Sequence, residues 1–400
     1  CRLTVDGEDV DCFIANGTNR QGETGVFATD CTETEMIYLG KGNEEDFEGV
    51  DVAGKLVLCD IDFLTSYPKD LIHWAEDSWM YDPRGLTEKP LNKYDIYTPN
   101  NWPFNYNRAM EGGARGFVGI LNHYIDCNYY NEDYRDIVHS DGFMELPAVW
   151  ISKQDGRRLI SKISKSGGSI AASLDLCTEF AWKPANVVSG RLAGKSEETV
   201  LIHSHHDAIS TGAVQDASGW AVVMALGKFF KSLPAELREK TVTLLSTDTH
   251  FTDYEGQSCY VEKHLKAGDK IIYDFAIEHM AKEMELGDDN SIVIHDEAET
   301  RMLYVDKEKD GLLNLVKEAV EMYDYEKTCI LPVGKSEGDY TKNDVCSDAY
   351  DFNAAGIPVV SVVCGPMYLF HPSDTEDKIH LESMDKTLRM YAYIILNCIN

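Results

Sequence analysis

Six of the twelve histidines in this 400-residue chain lie beside acidic residues, in four short runs. The runs are 203–207, 246–250, 278–279 and 370–374. Imidazole and carboxylate are the ligands that catalytic zinc sites combine in proteins. A single histidine is usually a hydrogen-bonded core or surface residue, whereas four runs of this kind together favour a metal or catalytic site.

Each histidine run follows or ends a segment with the composition of a buried strand. These segments are 199–204, 241–246, 274–277 and 357–364, and they alternate with predicted helices at 218–230, 312–323 and 384–399. Continuous apolar strands that alternate with helices indicate an α/β fold, here a mixed, mostly parallel sheet with helices on both faces. Ligands bind beyond the carboxyl ends of the strands in such sheets, so we expect the histidines and acids to meet there.

The composition argues against several classes of function. The chain carries 37 Lys and Arg against 68 Asp and Glu, which is a formal net charge of −31. Such a surface repels phosphate groups, which disfavours binding of nucleic acid and docking onto anionic membranes. With 44% hydrophobic residues the chain can bury a sizeable core, and its 400 residues predict two or three domains.

The cysteines and the apolar segments bear on the location of the protein. The 11 cysteines are odd in number and form no CxxC pair, which favours reduced thiols in a cytoplasm. No apolar run approaches the length of a transmembrane helix, and the sequence does not open with the pattern of a signal peptide. We therefore expect a cytoplasmic protein without membrane insertion. The alternative is that Cys1 is the lipid-bearing residue of a bacterial lipoprotein.

The first part of the chain follows another α/β pattern, which ends near residue 180. A buried strand is predicted at 56–59, a helix, glycine turn and strand at 108–121, and a strand followed by an amphipathic helix at 146–163. An aromatic-rich insertion at 62–107 interrupts this pattern. A loop of that length is usually functional or structured. The insertion is therefore either a lid that selects apolar or ring-bearing substrate groups or a packing element between domains or subunits.

Several segments of the second part resemble the co-catalytic zinc aminopeptidase family, which includes aminopeptidase Y, glutamate carboxypeptidase II and the transferrin-receptor relatives. The family pattern is H-x-D followed by D-x-x-S-G at the start of a helix. The matching residues here are His205-His206-Asp207 and GAVQDASG at 212–219. Farther along, AGIP at 355–358 and DTEDKI at 374–379 are similar to two further family segments.

The first part resembles the protease-associated domain that many members of this family carry. The similar segments are GVDVAGKLVL at 49–58, GGARGFVGIL at 112–121 and LPAVWIS at 146–152. The resemblance implies a strand segment at 1–40 that joins the catalytic domain, a protease-associated-like domain at 41–182, and a zinc-aminopeptidase-like catalytic domain at 183–400.

In this family two zinc ions share a bridging aspartate, and a glutamate acts as general base. The resemblance implies that His205 is a zinc ligand, that Asp207 orients it, and that Glu278 replaces a ligand aspartate. His371 is similar to the last histidine ligand, although it precedes Asp374 by three residues instead of four.

Three positions lack the acid that the family pattern contains. Gln215 stands where the bridging aspartate is expected, with Asp216 one place later, and His250-Phe251 stands where two glutamates are expected. A two-zinc site needs a bridging carboxylate, so these departures favour a single zinc ion bound by a subset of the acids and histidines. The residues from which that subset comes are His205, Asp216, His250, Glu278, His279 and His371.

The sequence thus predicts an atypical metal-dependent hydrolase of peptide or small amide bonds, with one zinc ion rather than two. Metal binding is assigned to His205, Asp216, Glu278 and His371, and catalysis to Asp207 and His250. In this prediction His250, or an acid beside it, accepts the proton of the attacking water.

Four further residues are candidates for the site, namely His206, Gln215, His279 and Asp348. Asp348 either lines the pocket or is a surface acid. The expected partner is a small peptide or amide substrate. Whether the protein forms a homo-oligomer is left open by the sequence. The alternative function is that of a family member that has lost catalysis and acts as a binding or interaction module.

Overall fold

The computed structural model describes residues 1–63, 77–94, 99, 101–122, 124–130, 143–252, 254–289, 291–335 and 345–399. The chain divides into two compact units, each built from segments that are discontinuous in sequence. The first unit comprises Cys1–Thr65, Tyr94–Pro184 and Leu286–Ile292, and the second comprises Ser66–Lys93, Ala185–Glu285 and Val293–Asn400.

The described residues form strands and helices in both units. The strands are β1 (Arg2–Val5), β2 (Glu8–Val10), β3 (Phe13–Ile14), β4 (Gly25–Ala28), β5 (Thr34–Tyr38), β6 (Leu56–Ile61), β7 (Trp79–Tyr81), β8 (Gly116–Leu121), β9 (Ala148–Ile151), β10 (Ser169–Asp175), β11 (Cys177–Phe180), β12 (Val188–Leu192), β13 (Ser196–His205), β14 (Lys240–Thr247), β15 (Ile271–Ile277), β16 (Lys282–Leu286), β17 (Ile292–Ala298), β18 (Arg301–Asp306), β19 (Thr328–Val333) and β20 (Val359–Val363). The helices are α1 (Glu44–Phe47), α2 (Phe104–Glu111), α3 (Lys153–Lys165), α4 (Gly219–Ser232), α5 (Glu255–Ala267), α6 (Leu312–Met322), α7 (Tyr350–Ala354) and α8 (Leu381–Ile399). Single helical turns lie at Leu86–Glu88, Ala235–Leu237 and Glu376–Lys378, and a π-helical turn lies at Ala213–Ser218.

The larger sheet of the first unit has the strand order β2-β1-β10-β5-β6-β8-β9-β3. Strands β5, β6, β8 and β9 are parallel, and the outer strands run antiparallel to their neighbours. The strands of residues 1–40 that lie in this sheet pack apolar side chains such as Leu3 and Val5 into its core. That residues 1–40 form a strand segment that joins the catalytic domain stays a prediction. The protease-associated-like domain and its bounds, 41–182, stay a prediction.

Helix α3 covers this sheet for reasons that are visible in its sequence. Ser152 caps the helix by accepting a hydrogen bond from the backbone N–H of Asp155 at 3.0 Å. Leu159 and Ile163 are buried at helical spacing in the core of the unit. Gly156 allows a close approach to the sheet, because a Cβ there would lie 2.4 Å from Cγ2 of Ile120.

The main sheet of the second unit has the strand order β12-β14-β13-β15-β20-β18-β19-β7. Strands β14, β13, β15 and β20 are parallel. Strand β12 runs antiparallel to β14, β18 runs antiparallel to β20, and β7 runs antiparallel to β19. The predicted mixed α/β fold is confirmed. The sequence analysis did not predict β18 or β19. The signal of β18 is weak because its apolar stretch is short and has a charged residue at each end.

Helices cover both faces of this sheet. Val200 and Ile202 of β13 pack with apolar side chains of α4, α6 and α8, and the intervening Leu201 packs with Val261 of α5 and Phe352 of α7. Because both faces are buried, the strands have continuous apolar sequences. None of the helices in the described part of the chain is long and apolar enough to cross a membrane.

The described parts of the aromatic insertion at 62–107 are packed within one unit or the other. Trp79 lies on β7, which pairs with β19 in the second unit. Trp102 and Tyr106 are buried in the core of the first unit, where their rings contact each other at 5.1 Å between centroids. Residues 64–76 lie outside the described residues, and the lid hypothesis stays a prediction.

Candidate metal centre

Three residues that end or follow adjacent parallel strands meet at one edge of the second sheet. His205 is the last residue of β13, His250 follows β14, and Glu278 follows β15. Their potential ligand atoms all lie within 4.8 Å of one another. The carboxyl ends of parallel strands share a sheet edge, which is why residues far apart in sequence come together here. We call these three residues the metal group.

His205 is fully buried and its ring is held on one side only. Nδ1 lies 2.8 Å from the backbone carbonyl oxygen of Asp207 and 3.3 Å from Oδ1 of the same residue. A carbonyl oxygen can only accept, so Nδ1 carries the proton and donates it. Nε2 is then the nitrogen that can bind a metal once it has released its proton, and it is buried without a hydrogen-bond partner among the described residues.

His250 is half-buried and is held by two acids. Its Nδ1 lies 2.8 Å from Oδ1 of Asp348, and its backbone N–H donates to Oδ2 of Asp207 at 3.0 Å. Its ring stacks on that of His205 with 4.0 Å between centroids. Asp207 therefore contacts both histidines of the metal group, and its orienting role stays a prediction.

Glu278 completes the metal group as a buried carboxylate. One oxygen, Oε1, accepts the backbone N–H of Asp348 at 3.0 Å. Burial raises the pKa of Glu278 well above its ordinary value, and the nearby charges of Asp348 and Asp216 raise it further. Burial also opposes charge on His205, but the carboxylates of Asp348 and Asp207 outweigh it and raise the pKa of His205 to about 10.

The metal group fits a divalent cation. Two imidazoles and one carboxylate are the protein ligands of several catalytic zinc sites, in which the remaining position is open to water or substrate. The unpartnered Nε2 of His205 is otherwise a costly feature of a buried site, because a buried polar atom without a hydrogen bond lowers stability. A bound cation would satisfy it.

Backbone strain is concentrated around the metal group. Four residues other than glycine adopt positive φ in or beside the loops that carry it: Thr249 (72°), Tyr254 (55°), His279 (54°) and Phe370 (66°). Such conformations cost free energy and are held in place at sites where function requires them. The loops are thus fixed in geometries that their side chains alone would disfavour.

Two predicted ligands are engaged elsewhere. Asp216 accepts the backbone N–H of His279 at 3.0 Å and the hydroxyl of Ser204, so both of its oxygens hold the surrounding loops together. Nδ1 of His371 accepts the backbone N–H of Ser373 at 3.1 Å. Among the described residues the metal group includes neither Asp216 nor His371, and their assignment as ligands stays a prediction.

The further candidate residues lie near the metal group without joining it. Nδ1 of His279 lies 2.5 Å from the carbonyl oxygen of Cys364, and burial together with the positive charge of His205 lowers the pKa of His279 to about 3. His206 is exposed and contacts Oγ of Ser246 at 2.8 Å. Gln215 is buried, and its backbone N–H donates to the carboxylate of Asp374 at 3.1 Å.

Asp348 is fully buried, which excludes the alternative that it is a surface acid.

The sequence analysis missed a second buried pair of a histidine and an acid. Nε2 of His203 and Oδ1 of Asp274 lie 3.0 Å apart. An acid inside the apolar strand β15 was the available signal, because a buried carboxylate requires a partner.

A cluster of buried charges in the second unit was also missed. Nζ of Lys93 lies 2.5 Å from Oε1 of Glu283 and also contacts Glu299, and Nζ of Lys327 lies 2.5 Å from Oε2 of Glu283. We call these four residues the buried charge cluster. Burial opposes ionisation of Glu283, but the two ammonium groups outweigh it and lower the pKa of this residue. Its members are dispersed in sequence, so no spacing pattern reveals them.

Comparison with solved structures identifies the fold. The zinc aminopeptidase BSAP from Bacillus subtilis superposes with a TM-score of 0.66 at 17% identity, over 100% of this chain and 81% of that chain. A peptidase M28 precursor from Shewanella amazonensis gives a TM-score of 0.66 at 17% identity, over 100% and 80%. An aminopeptidase from Aneurinibacillus sp. strain AM-1 gives 0.51 at 18% identity, over 98% and 79%.

Comparison by sequence identifies the family. A search of curated proteins gives no match. The sequence model described as peptidase family M28 matches residues 186–395, which is more than half of the chain and contains every member of the metal group. The chain belongs to peptidase family M28.

Proposed function

We propose that this protein hydrolyses peptide or small amide bonds with a single zinc ion held by His205, His250 and Glu278. The observation that carries the proposal is the metal group itself, whose ligand atoms lie within 4.8 Å of one another. Membership of family M28 and a fold shared with zinc aminopeptidases support a metal-dependent, peptidase-like function. The number of zinc ions and the identity of the ligands are inferred from the residues of this chain.

The side chains around the metal group prepare it for a cation. Asp207 holds the ring of His205 with Nδ1 protonated, and Asp348 does the same for His250, so each ring presents Nε2. Glu278 keeps one oxygen for a metal while the other accepts a backbone N–H. Zinc bound in this way supplies Lewis-acid polarisation of a carbonyl group and lowers the pKa of water.

This arrangement changes the predicted role of His250. The sequence analysis assigned it the proton of the attacking water, whereas its ring lies in the metal group with Nδ1 engaged by Asp348. Burial and the neighbouring charge of His205 lower the pKa of His250, so its imidazole is neutral at pH 7 and suited to bind a metal. We therefore propose His250 as a ligand.

Aromatic and amide side chains stand where a second metal would need acids. Phe251 has no ligand atom, and its ring packs 5.8 Å from that of His205 and 4.8 Å from that of His250. Phe370 packs against Phe251 at 5.9 Å. Gln215 is neutral and cannot bridge two cations as a carboxylate does. These residues support a site for one metal.

Metal analysis and an activity screen test the proposal. The purified full chain, dialysed after loading with excess zinc, should retain one zinc ion per chain and hydrolyse members of a panel of amino-acid and peptide anilides. Two zinc ions per chain would contradict the single site. A protein without stoichiometric metal would favour the alternative, a family member that binds partners without catalysis.

A further inference from the structure

Asp348 contacts two of the three members of the metal group. Its carboxylate oxygen Oδ1 lies 2.8 Å from Nδ1 of His250, and its backbone N–H donates to Oε1 of Glu278 at 3.0 Å. The residue is fully buried. One amino acid thus touches both a histidine and the carboxylate of the site, from a segment that is distant from either in sequence.

The turn that carries Asp348 is anchored on both sides. Its backbone carbonyl accepts a hydrogen bond from the side-chain amide of Gln257 on α5. The preceding residue, Ser347, contacts Oγ of Ser361 on β20 at 2.7 Å and accepts the backbone N–H of Ala349 at 3.2 Å. The carboxylate is therefore placed by a helix and a strand, and it is not free to follow the ring of His250.

A fixed carboxylate has a defined effect on an imidazole ligand. A histidine ring can bind a metal through either nitrogen, and a hydrogen bond at one nitrogen selects the other and fixes the plane of the ring. The contact at Nδ1 selects Nε2 of His250 in this way. The backbone contact similarly fixes one oxygen of Glu278 and leaves the second for the metal.

We propose that Asp348 is the positioning residue of the metal centre, which sets His250 and Glu278 in binding geometry before the metal arrives. The inference rests on the proposed function, because it takes the metal group as the ligand set. Asp348 does not contact the metal in this scheme. It acts through His250 and Glu278.

The second buried pair supplies a matched control. His203 and Asp274 are both fully buried, pair at 3.0 Å, and lie on β13 and β15, the strands that lead to the metal group. His203 is not a member of the metal group. Loss of this pair should reduce stability as loss of the Asp348 contact does, but it should leave the ligands in place.

The experiment compares Asp348→Asn with Asp274→Asn in the full chain. Zinc affinity is measured by competition with a chromogenic chelator, and the visible spectrum of the cobalt-substituted protein reports ligand geometry. Asp348→Asn should weaken zinc binding by about 10- to 100-fold, the usual effect of losing such a partner, and should change the cobalt spectrum. Asp274→Asn should stay within about threefold of the unmodified protein.

A double variant tests whether Asp348 acts through His250. Asp348→Asn should weaken binding little further when His250 is already alanine, because both changes remove the same ligand contact. If Asp348→Asn does not fold, Gln257→Met loosens the same turn without removing a charge and should weaken zinc binding by several-fold.

Three results would separate the possible failures. Unchanged zinc affinity in Asp348→Asn, or equal losses in Asp348→Asn and Asp274→Asn, would overturn the positioning role. Additive losses in the double variant would overturn action through His250. An unmodified protein that binds no zinc would overturn the proposed function itself.

Discussion

Zinc binding to the metal-free protein should release protons, and the structure sets how many. A histidine with a pKa of about 10, the value for His205, keeps its proton at pH 7 in all but about one molecule in a thousand. The pKa of Glu278 is also raised well above its ordinary value, by burial first and then by neighbouring acids. An exposed histidine and glutamate would release only about a quarter of a proton on binding zinc at this pH.

The expected release at pH 7 is about one proton per zinc, from His205, and the raised pKa of Glu278 acts in the same direction. The two groups interact, so protonation of Glu278 removes part of the field that holds the proton on His205. Zinc binds the deprotonated ligands, so its affinity falls as pH falls, by about 10-fold per unit near neutrality for one released proton. The raised pKa values thus weaken metal binding at pH values below them. At pH values above them the ligands are already deprotonated, and the effect disappears.

Isothermal titration calorimetry in buffers of different ionisation enthalpy measures this number directly. The observed enthalpy should change with buffer enthalpy by the number of protons released. His206→Ala is the control, because His206 is exposed and lies outside the metal group, and it should release the same number. A release of less than about half a proton, with an affinity that does not change between pH 6 and 8, would refute the reasoning.

Three further changes have defined outcomes. Glu283→Gln leaves the two ammonium groups of the buried charge cluster with one carboxylate, so chemical denaturation should show that the free energy of unfolding falls by about 3–5 kcal/mol. A fall below about 1 kcal/mol, the contribution of an exposed ion pair, would contradict this. Cys1 and Cys12 have sulfurs 3.8 Å apart, so oxidised glutathione should link them, as peptide mapping would show and Cys12→Ser would prevent. Gly119→Ala places a Cβ 2.4 Å from the buried indole of Trp150, and denaturation of the first unit should show a loss of about 1–3 kcal/mol.

The strand ends of the second unit could be predicted from sequence because burial on both faces leaves a simple signal. The middle of β13, Val200 to Ile202, is apolar and buried, and polar residues follow it from His203 onward, so both the strand and its carboxyl end are visible in the sequence. The order of helices and strands then implied that His205 and Glu278 meet. Local composition and one topological rule were enough for this part of the site.

The hydrogen-bond partners could not be predicted in the same way. His250 and Asp348 are separated by 98 residues, and their contact depends on the conformation of two loops. The proposed role of His250 as a ligand depends on that contact, because a partner at Nδ1 leaves Nε2 as the nitrogen for a metal. Sequence indicates which residues reach a sheet edge, but not which nitrogen of a ring remains available there.

Asp216 shows how a neighbouring acid can fail to replace a missing one. Asp216 stands next to Gln215, whose neutral amide cannot bridge two metal ions. In the structure the carboxylate of Asp216 holds the backbone N–H of His279 and the hydroxyl of Ser204, in a fully buried environment. Turning it toward a second metal would leave both donors unpaired, at a cost of about 1–3 kcal/mol for each. A second zinc ion would have to overcome that cost while Phe251 offers it no ligand, which supports the proposed site for one zinc ion.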